Sequence, residues 1–446
     1  MNKIVIREKI RKKNIESGVK VIVLDDDPTG CQTVHDVVLS FFWDTETLKE
    51  LIDHNDCFYL LTNSRALTGK AARKLYSSVS ENILRTGYPA DKIRIICRSD
   101  STLRGHFFEE TMAVFKNFRN FDGLLVIPFF KEGGRITKGD VHYVIQDGRY
   151  IPVSETEFAR DPQFGYNNSY LPAWIEEKSK GYFKKEDALS ISIEEIRTRN
   201  HSSIMKKIEN ALNGTPVIIN SLEDSDIEYF CSLLQEAEDK GKRFLYRTGA
   251  SFVKIRAGIS DIPLYMPPFK QGAGLIIAGS FVNRTTEQLN HLLEMTRIRH
   301  AELSLDRIVG KNNENYLGDI IELIDESLGV GENFLIFTER KFRKTDDPEN
   351  ELHAGELISS FLSRIVAGLN ESPGFIIAKG GITSHEIAYQ GLGIKQATVT
   401  GQILPGVPVL KTGKDSSFPG IDFIIFPGNV GSKESLLEIV KKYSEN

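Results

Sequence analysis

The sequence predicts an α/β protein of two domains, each a mostly parallel sheet flanked by helices. Three observations carry that expectation. Short β-rich runs alternate with helix-like amphipathic segments. The strand runs are apolar on both faces, as strands of a helix-covered parallel sheet are. A segment rich in proline and glycine separates two such series, and 446 residues are too many for one ordinary core.

The first series has strand-like runs at residues 19–24, 58–61, 92–97, 123–129, 216–219 and 244–246, with helix-like segments at 70–84 and 106–118. One stretch, "VHYVIQDGRYIPVSETEFARDPQFGYNNSYLPAW", breaks the rhythm. It holds two short β-like segments around Asp147-Gly148, a hairpin signal, and then a loop-rich region without clear periodicity. We read it as an insertion in the first domain that borders a site. Residues 261–274, "DIPLYMPPFKQGAG", carry three prolines and two glycines and read as the linker. The second series begins at Leu275 with "LIIAGS", "FLIFTE", "FIIAKGG", "ATVTG" and "FIIFPGN", interleaved with helix-like segments at 286–297, 351–369 and 435–443. No internal repeat exceeds the shared α/β rhythm.

Lys and Arg number 56 against 61 Asp and Glu, for a net charge of −5 with no block of one sign. Bulk electrostatics therefore give no reason to expect nucleic acid or an anionic membrane as partner, and any anion site must be local. Cys31, Cys57, Cys97 and Cys231 lie far apart without a CxxC pair, so neither a zinc cluster nor a disulfide framework is readable. The basic start "MNKIVIREKIRKKN" has no apolar signal core behind it, and no apolar run reaches membrane-spanning length. A cytoplasmic location is the expectation. Nothing fixes the oligomeric state; a homodimer is allowed.

Polar or glycine-rich clusters begin where apolar strands end, the edge at which open parallel sheets bind ligands. In the first domain these are "LDDDPTG" (24–30), "LTNSRAL" (61–67) and "RSDSTLRG" (98–105). Asp25, Asp26, Asp27, Thr29, Asp100, Ser101 and Thr102 can hydrogen-bond hydroxyls. Arg65, Arg98 and Arg104 offer fork-shaped donors suited to carboxylate or phosphate, and Arg104 with Gly105 closes the turn. A small polyhydroxy acid suits both sets. The competing reading is that the aspartates are solvated caps and Arg104 pairs with Asp100 at the surface.

In the second domain the clusters are "AGSFVNRTTEQ" (278–288), "AKGGITSHE" (378–386) and "PGNVGSKES" (427–435). Glycine followed by a helix N-terminus suits phosphate, although Gly380, Gly381, Gly428 and Gly431 could equally make tight turns. Thr383-x-x-Glu386 and Thr285-x-x-Gln288 read as capping boxes opening those helices. His35, His106 and His385 lie in no triad or metal spacing and read as structural. Familiar signatures are missing: Gly413-Lys414 is followed by Asp, so there is no P-loop, "GLGIKQ" fails the dinucleotide fingerprint, and neither HExxH nor GxSxG occurs.

The ordered set "DDPTG" (26–30), "SDSTLRG" (99–105), "GGRITKGDVHYV" (133–144), "ETEFARDP" (155–162) and the later "GS", "GGITS" and "PGNVGS" resembles the four-carbon acid sugar kinase family. The likeness runs through both domains, roughly residues 18 to 442. It implies a sugar-acid domain at 1–262 and a nucleotide domain at 272–446, with the active site in the cleft between them. It implies ATP with Mg²⁺ phosphorylating a hydroxyl of threonate, erythronate or a 3-oxo-tetronate.

Carried over by motif, Ser280, Gly380, Gly381, Thr383, Gly428, Asn429 and Gly431 contact ATP. Asp26, Asp27, Arg65, Asp100, Ser101 and Arg104 line the substrate side. On that reading Asp26 or Asp27 accepts the hydroxyl proton, Arg104 or Arg65 clamps the carboxylate, and Lys379 neutralises phosphate charge. Ile382 stands where many members carry an acidic residue, so any metal ligand that acid supplies must come from elsewhere; no ligand is identified. The alternatives are a kinase of another small hydroxy acid and a catalytically silent sensor binding nucleotide or sugar acid. A dehydrogenase comes third.

Overall fold

The computed structural model describes residues 3–268, 272–279, 282–310, 313–339, 348–428 and 430–444. Contacts divide the chain into two units, Met1–Ile262 and Pro263–Asn446. The division falls at the start of the expected linker, and the Tyr265 amide already bonds the Gln402 carbonyl of the second unit.

The first unit contains β1 (Lys20–Asp25), β2 (Val37–Ser40), β3 (Cys57–Leu61), β4 (Ile93–Arg98), β5 (Gly123–Ile127), β6 (Arg135–Lys138), β7 (Val141–Gln146), β8 (Arg149–Pro152), β9 (Leu189–Ile191), β10 (Thr215–Ile219) and β11 (Phe244–Thr248). Its main strands lie in the order β2-β3-β1-β4-β11-β5-β10-β9, and every pairing is parallel. β4, Ile-Arg-Ile-Ile-Cys-Arg, is buried at all six positions, which explains its lack of alternation.

The order places the ligand edge. From β1 the chain builds β2 and β3 on one side, then crosses to β4 on the other. Loops leaving β1 and β4 therefore depart in opposite directions, and a crevice opens at that switch point.

Helices cover the sheet. Asp44 opens Thr45–His54 by accepting from the amides of Glu46 (3.1 Å) and Thr47 (3.0 Å), satisfying donors the helix cannot. Helix Gly69–Arg85 turns Tyr76, Val79 and Ile83 inward at helical spacing, and helix Phe107–Phe118 adds Phe107 and Val114. These side chains pack on Ile22, Leu24, Ile95 and Cys97; burying each large apolar one contributes roughly 1.5–3 kcal/mol.

The rhythm-breaking stretch opens with β7 and β8, which together with the preceding β6 form an antiparallel ribbon. Asp147 (φ +49°) and Gly148 (φ +74°) make its two-residue turn, as a primed turn requires. Beyond it come short turns at Val153–Glu155 and Glu157–Arg160 and helix Leu171–Lys178, which buries Trp174.

The N-terminal helix, Lys3–Glu16, is held by Arg7. Its guanidinium meets Glu228 at 2.7 Å and Asp224 and Asp261 at 2.9 Å, and Lys254 reaches Asp261 at 3.0 Å.

The second unit contains β12 (Gly274–Ala278), β13 (Arg299–Leu303), β14 (Phe334–Thr338), β15 (Phe375–Lys379), β16 (Gln396–Leu404), β17 (Val407–Thr412) and β18 (Asp422–Phe426), in the order β13-β14-β12-β15-β18-β17-β16. Here β12 is the switch strand: the chain builds β13 and β14 on one side and β15 on the other. β16 and β17 run antiparallel because only Pro405-Gly406 joins them, too short for a crossover. Phe375 stacks on Tyr443 of the C-terminal helix, centroids 4.0 Å apart. Among the described residues no helix is long and apolar enough to cross a membrane, and all four cysteines are free thiols.

Candidate functional site

In the first unit, three strand-end loops meet at the switch point. Arg98, the last residue of β4, is buried and reaches Asp25 (3.2 Å) and Asp26 (3.4 Å) after β1. Arg65, on the turn after β3, ion-pairs closely with Asp27 and lies 3.8 Å from Asp26 and 3.7 Å from Asp100. Asp26 also accepts from the Asp100 amide (3.3 Å), joining the loops after β1 and β4 directly. Asp100 takes Arg104 Nε at 2.6 Å and the Thr102 hydroxyl. The Arg104–Asp100 pair is real but not a surface pair: 25% and 13% of those side chains are exposed. Thr29 donates its amide (2.8 Å) and its hydroxyl to Asp27.

The turn geometry is glycine's. Gly105 sits at φ +107°, and a Cβ there would lie 3.2 Å from both Arg247 Nη2 and Asp26 Oδ2. Below it a buried acid–base pair supports the site: Glu110 bonds Arg247 and accepts from the Ser64 hydroxyl at 2.5 Å, next to Arg65. The ribbon and its following loop hold the Ser99–Gly105 turn from outside. His142 Nε2 bonds the Ser101 carbonyl (2.7 Å), Tyr166 donates to the Thr102 carbonyl (2.6 Å), and Asp161 lies 3.6 Å from Arg104. Burial pushes the His142 imidazole down to about 4, so it is a neutral brace at ordinary pH.

Four aspartates in one crevice are made different by their surroundings. Burial pushes Asp25 up to about 8 despite Arg98, and its unbonded Oδ2 is available to hold the proton. Burial also raises Asp26, to about 6, against the pull of Arg65 and Arg98. For Asp27 burial acts in the same upward direction, yet Arg65 and the Thr29 bonds hold it below the usual range. Asp100 is likewise low: burial is outweighed by Arg104 and Arg65. Asp26 has no exposed surface, whereas 16% of the Asp27 side chain reaches solvent. Asp27 and, at 13% exposure, Asp100 are thus the ionised carboxylates that a ligand can touch.

A pH test follows from Asp25. Its folded value of about 8 exceeds an unfolded value of about 3.9. Between these the folded state holds the extra proton, so this stabilisation is full below pH ~4 and lost as pH rises through ~8. Urea unfolding at pH 5, 7 and 9 should show wild type losing stability relative to Asp25→Asn as pH rises. A pH-independent difference would mean Asp25 is ionised throughout.

In the second unit the glycine loops converge in the same way. Gly380 sits at φ +112°, with its amide bonded to the Phe426 carbonyl at 2.9 Å, so the chain can turn from β15 straight into helix Gly381–Glu386. Thr383 packs against Gly279, where a Cβ would lie 2.7 Å from its hydroxyl. The Thr285 hydroxyl donates to the Gly428 carbonyl (3.2 Å), and Gln288 Nε2 to those of Val430 (3.0 Å) and Ser432 (2.7 Å). Gly431, at φ +83°, follows. Ser280 and Asn429 lie outside the described residues.

Two expectations change here. Thr285 and Thr383 cap nothing: their helices begin earlier, at Asn283 and Gly381, and Thr285 with Gln288 ties the loop after β18 instead. Lys379 is fully buried, lies over the Phe426 ring (3.6 Å) and donates to the Pro427 carbonyl (3.2 Å), which positions that loop. Ile382 is exposed. The three histidines serve local bonds: His35 to the Ser260 carbonyl, His106 to that of Leu67, and His385 to Glu386. Among the described residues no group of three or more His, Cys, Asp or Glu is placed to hold a metal ion. Asp26, Asp27 and Asp100 face arginines, so the described residues offer no ready Mg²⁺ cage.

Two family models match the chain. One, described as a sugar-binding N-terminal domain, covers residues 21–256, and the other, a nucleotide-binding C-terminal domain, covers 275–436. A D-threonate kinase of Salmonella typhimurium is 21% identical over 435 residues, spanning 94% of this chain and 97% of its own. The chain belongs to the four-carbon acid sugar kinase family. The family's fold is shared by two solved structures. One is from Salmonella typhimurium LT2 (TM-score 0.71, 15% identity, 94% of this chain and 98% of that one). The other is a Haemophilus influenzae protein (TM-score 0.64, 17% identity, 95% and 100%). The aspartate–arginine crevice falls within the family's sugar-binding model, and the glycine loops within its nucleotide-binding model.

Proposed function

We propose that this protein is a kinase transferring the γ-phosphoryl group of ATP to a hydroxyl of a four-carbon sugar acid: threonate, erythronate or a 3-oxo-tetronate. The observation that carries the proposal is the crevice itself. Within the sugar-binding match it sets two accessible ionised carboxylates beside arginines, Asp27 against Arg65 and Asp100 against Arg104. Similarity to a D-threonate kinase along nearly the whole chain supports the same reaction class.

Phosphoryl transfer asks little covalent work of a protein. It needs in-line alignment, neutralisation of phosphate charge and an acceptor for the hydroxyl proton. In this reading Asp27 is the acceptor, and its low basicity suffices because little proton transfer is needed before the phosphoryl group departs. Arg65 and Arg104 exchange their aspartate partners for the substrate, while Asp100, Ser101 and Thr102 orient its hydroxyls. Asp25, Asp26 and Arg98 are positioning groups, since all three are buried. Gly380, Gly381, Thr383, Gly428 and Gly431 form the nucleotide loops, and Lys379 holds their geometry. Mg²⁺ would arrive on the nucleotide phosphates and lower their charge.

The test is ADP release by the full chain with ATP and Mg²⁺, against D-threonate, D- and L-erythronate and a 3-oxo-tetronate. Turnover with one acid supports the proposal and names the substrate. ATP binding with no turnover on any of them would point to a silent binder or a different hydroxy acid.

A further inference from the structure

The first unit holds one more guanidinium beside this crevice, with no carboxylate partner among the described residues. Arg135 opens β6, in the ribbon. Its backbone is pinned on two sides: its amide bonds the Phe130 carbonyl (2.8 Å), the Phe130 amide bonds the Arg135 carbonyl (3.0 Å), and β7 pairs with it through Val144. Its guanidinium carbon lies 5.8 Å from the centre of the Phe158 ring, the same ring that Arg104 approaches at 5.0 Å.

The two arginines differ in what balances them. Arg104 has Asp100 and Asp161. Among the described residues Arg135 has no carboxylate within ion-pairing distance; Nη1 donates to the Gly133 carbonyl, and its buried Nε has no hydrogen-bond partner. Burial and the nearby Arg104 charge both disfavour its cationic form, with Asp100 only partly offsetting them. A rigidly based cation, half-buried, beside a second cation and short of an anion is an arrangement that a bound anion completes.

We propose that Arg135 binds the carboxylate of the sugar acid, with Phe158 as the wall that sets the spacing between this clamp and Arg104. This rests on the sugar-acid reading above. It divides the labour: Arg135 reads the acid end, leaving Arg65 and Asp27 to the hydroxyl that reacts. Substrate choice then depends on the distance from carboxylate to reacting hydroxyl. A neutral polyol of the same length loses this contact.

The experiment is calorimetric binding of D-threonate and of threitol, its neutral counterpart, to the full chain, to Arg135→Ala and to Arg135→Lys, with thermal midpoints recorded. Loss of a charge-assisted pair predicts D-threonate binding weaker by ~10–100-fold in Arg135→Ala. Threitol binding should not change, KM for the acid should rise with kcat little altered, and Arg135→Lys should recover part of the loss. If Arg135→Ala is unstable, Arg135→Lys against threitol carries the comparison. Equal weakening of both ligands, or unchanged D-threonate binding, overturns the clamp.

If wild type binds none of the sugar acids, malonate is the probe. Malonate binding that depends on Arg135 keeps the clamp and rejects the sugar-acid reading. Malonate binding that ignores Arg135, or no malonate binding, overturns the clamp.

Discussion

Asp27→Asn should retain ATP and sugar-acid binding yet lose turnover by ~10²–10⁴-fold, the usual range for removing a positioned proton acceptor. The substitution keeps size and one acceptor oxygen, removes the charge and basicity, and turns the other oxygen into an amide donor. Asp26 is sealed, Asp25 is both buried and raised toward a neutral acid, and Asp100, ionised and nearly as accessible, is taken up by Arg104 Nε and the Thr102 hydroxyl; Asp27 is therefore the acceptor tested first. Single-turnover measurement of phosphorylated product, with binding measured separately, checks the expectation. Removing Asp27 also frees Arg65, so substrate affinity should hold or improve while chemistry fails. Wild-type turnover in Asp27→Asn would transfer the acceptor role away from this loop.

Arg247→Met should have the largest effect on stability. Arg247 and Glu110 are 3% and 0% exposed, and Glu110 also takes the Ser64 hydroxyl that sets the turn carrying Arg65. Deleting one member strands a buried charge, at a cost of ~3–5 kcal/mol in urea unfolding. The double variant Arg247→Met with Glu110→Leu should regain much of that loss, because an apolar pair of similar volume removes the stranded charge. A single variant within ~0.5 kcal/mol of wild type would mean that water reaches the carboxylate.

Much of this was legible in the sequence wherever one residue pattern has one physical solution. The runs at 58–61, 92–97 and 216–219 fall within a residue of β3, β4 and β10, because strands buried on both faces must be continuously apolar. Asp147-Gly148 marked its turn because few residue pairs tolerate two positive φ angles in succession. β2, β6, β9, β13 and β17 were missed: the first three are short, β13 alternates with charges, β17 carries a proline, and only neighbours in the sheet make them strands. The N-terminal helix was missed for a similar reason, since its mostly polar sequence is held by partners more than 200 residues away. The aspartate and arginine clusters stood out because they exceed what a turn needs. Glu110 and Arg247 did not, as each is unremarkable within its own element, and Arg135 and Phe158 lay inside the quoted motifs at 133–144 and 155–162 without being singled out. Arg247 left a fainter trace, a charge inside the apolar strand "FLYRT".

The Arg7 anchor has a consequence in time as well as in space. The Arg7 side chain is almost wholly enclosed by Asp224, Glu228 and Asp261, which are synthesised long after it. On a ribosome adding ~5–20 residues per second, helix Lys3–Glu16 must wait on the order of tens of seconds for its partners. A helix made early is therefore among the last elements of its unit to be locked. Until residue 261 emerges, the nascent unit carries an undocked basic helix, and its exposed apolar residues are open to chaperones in that interval.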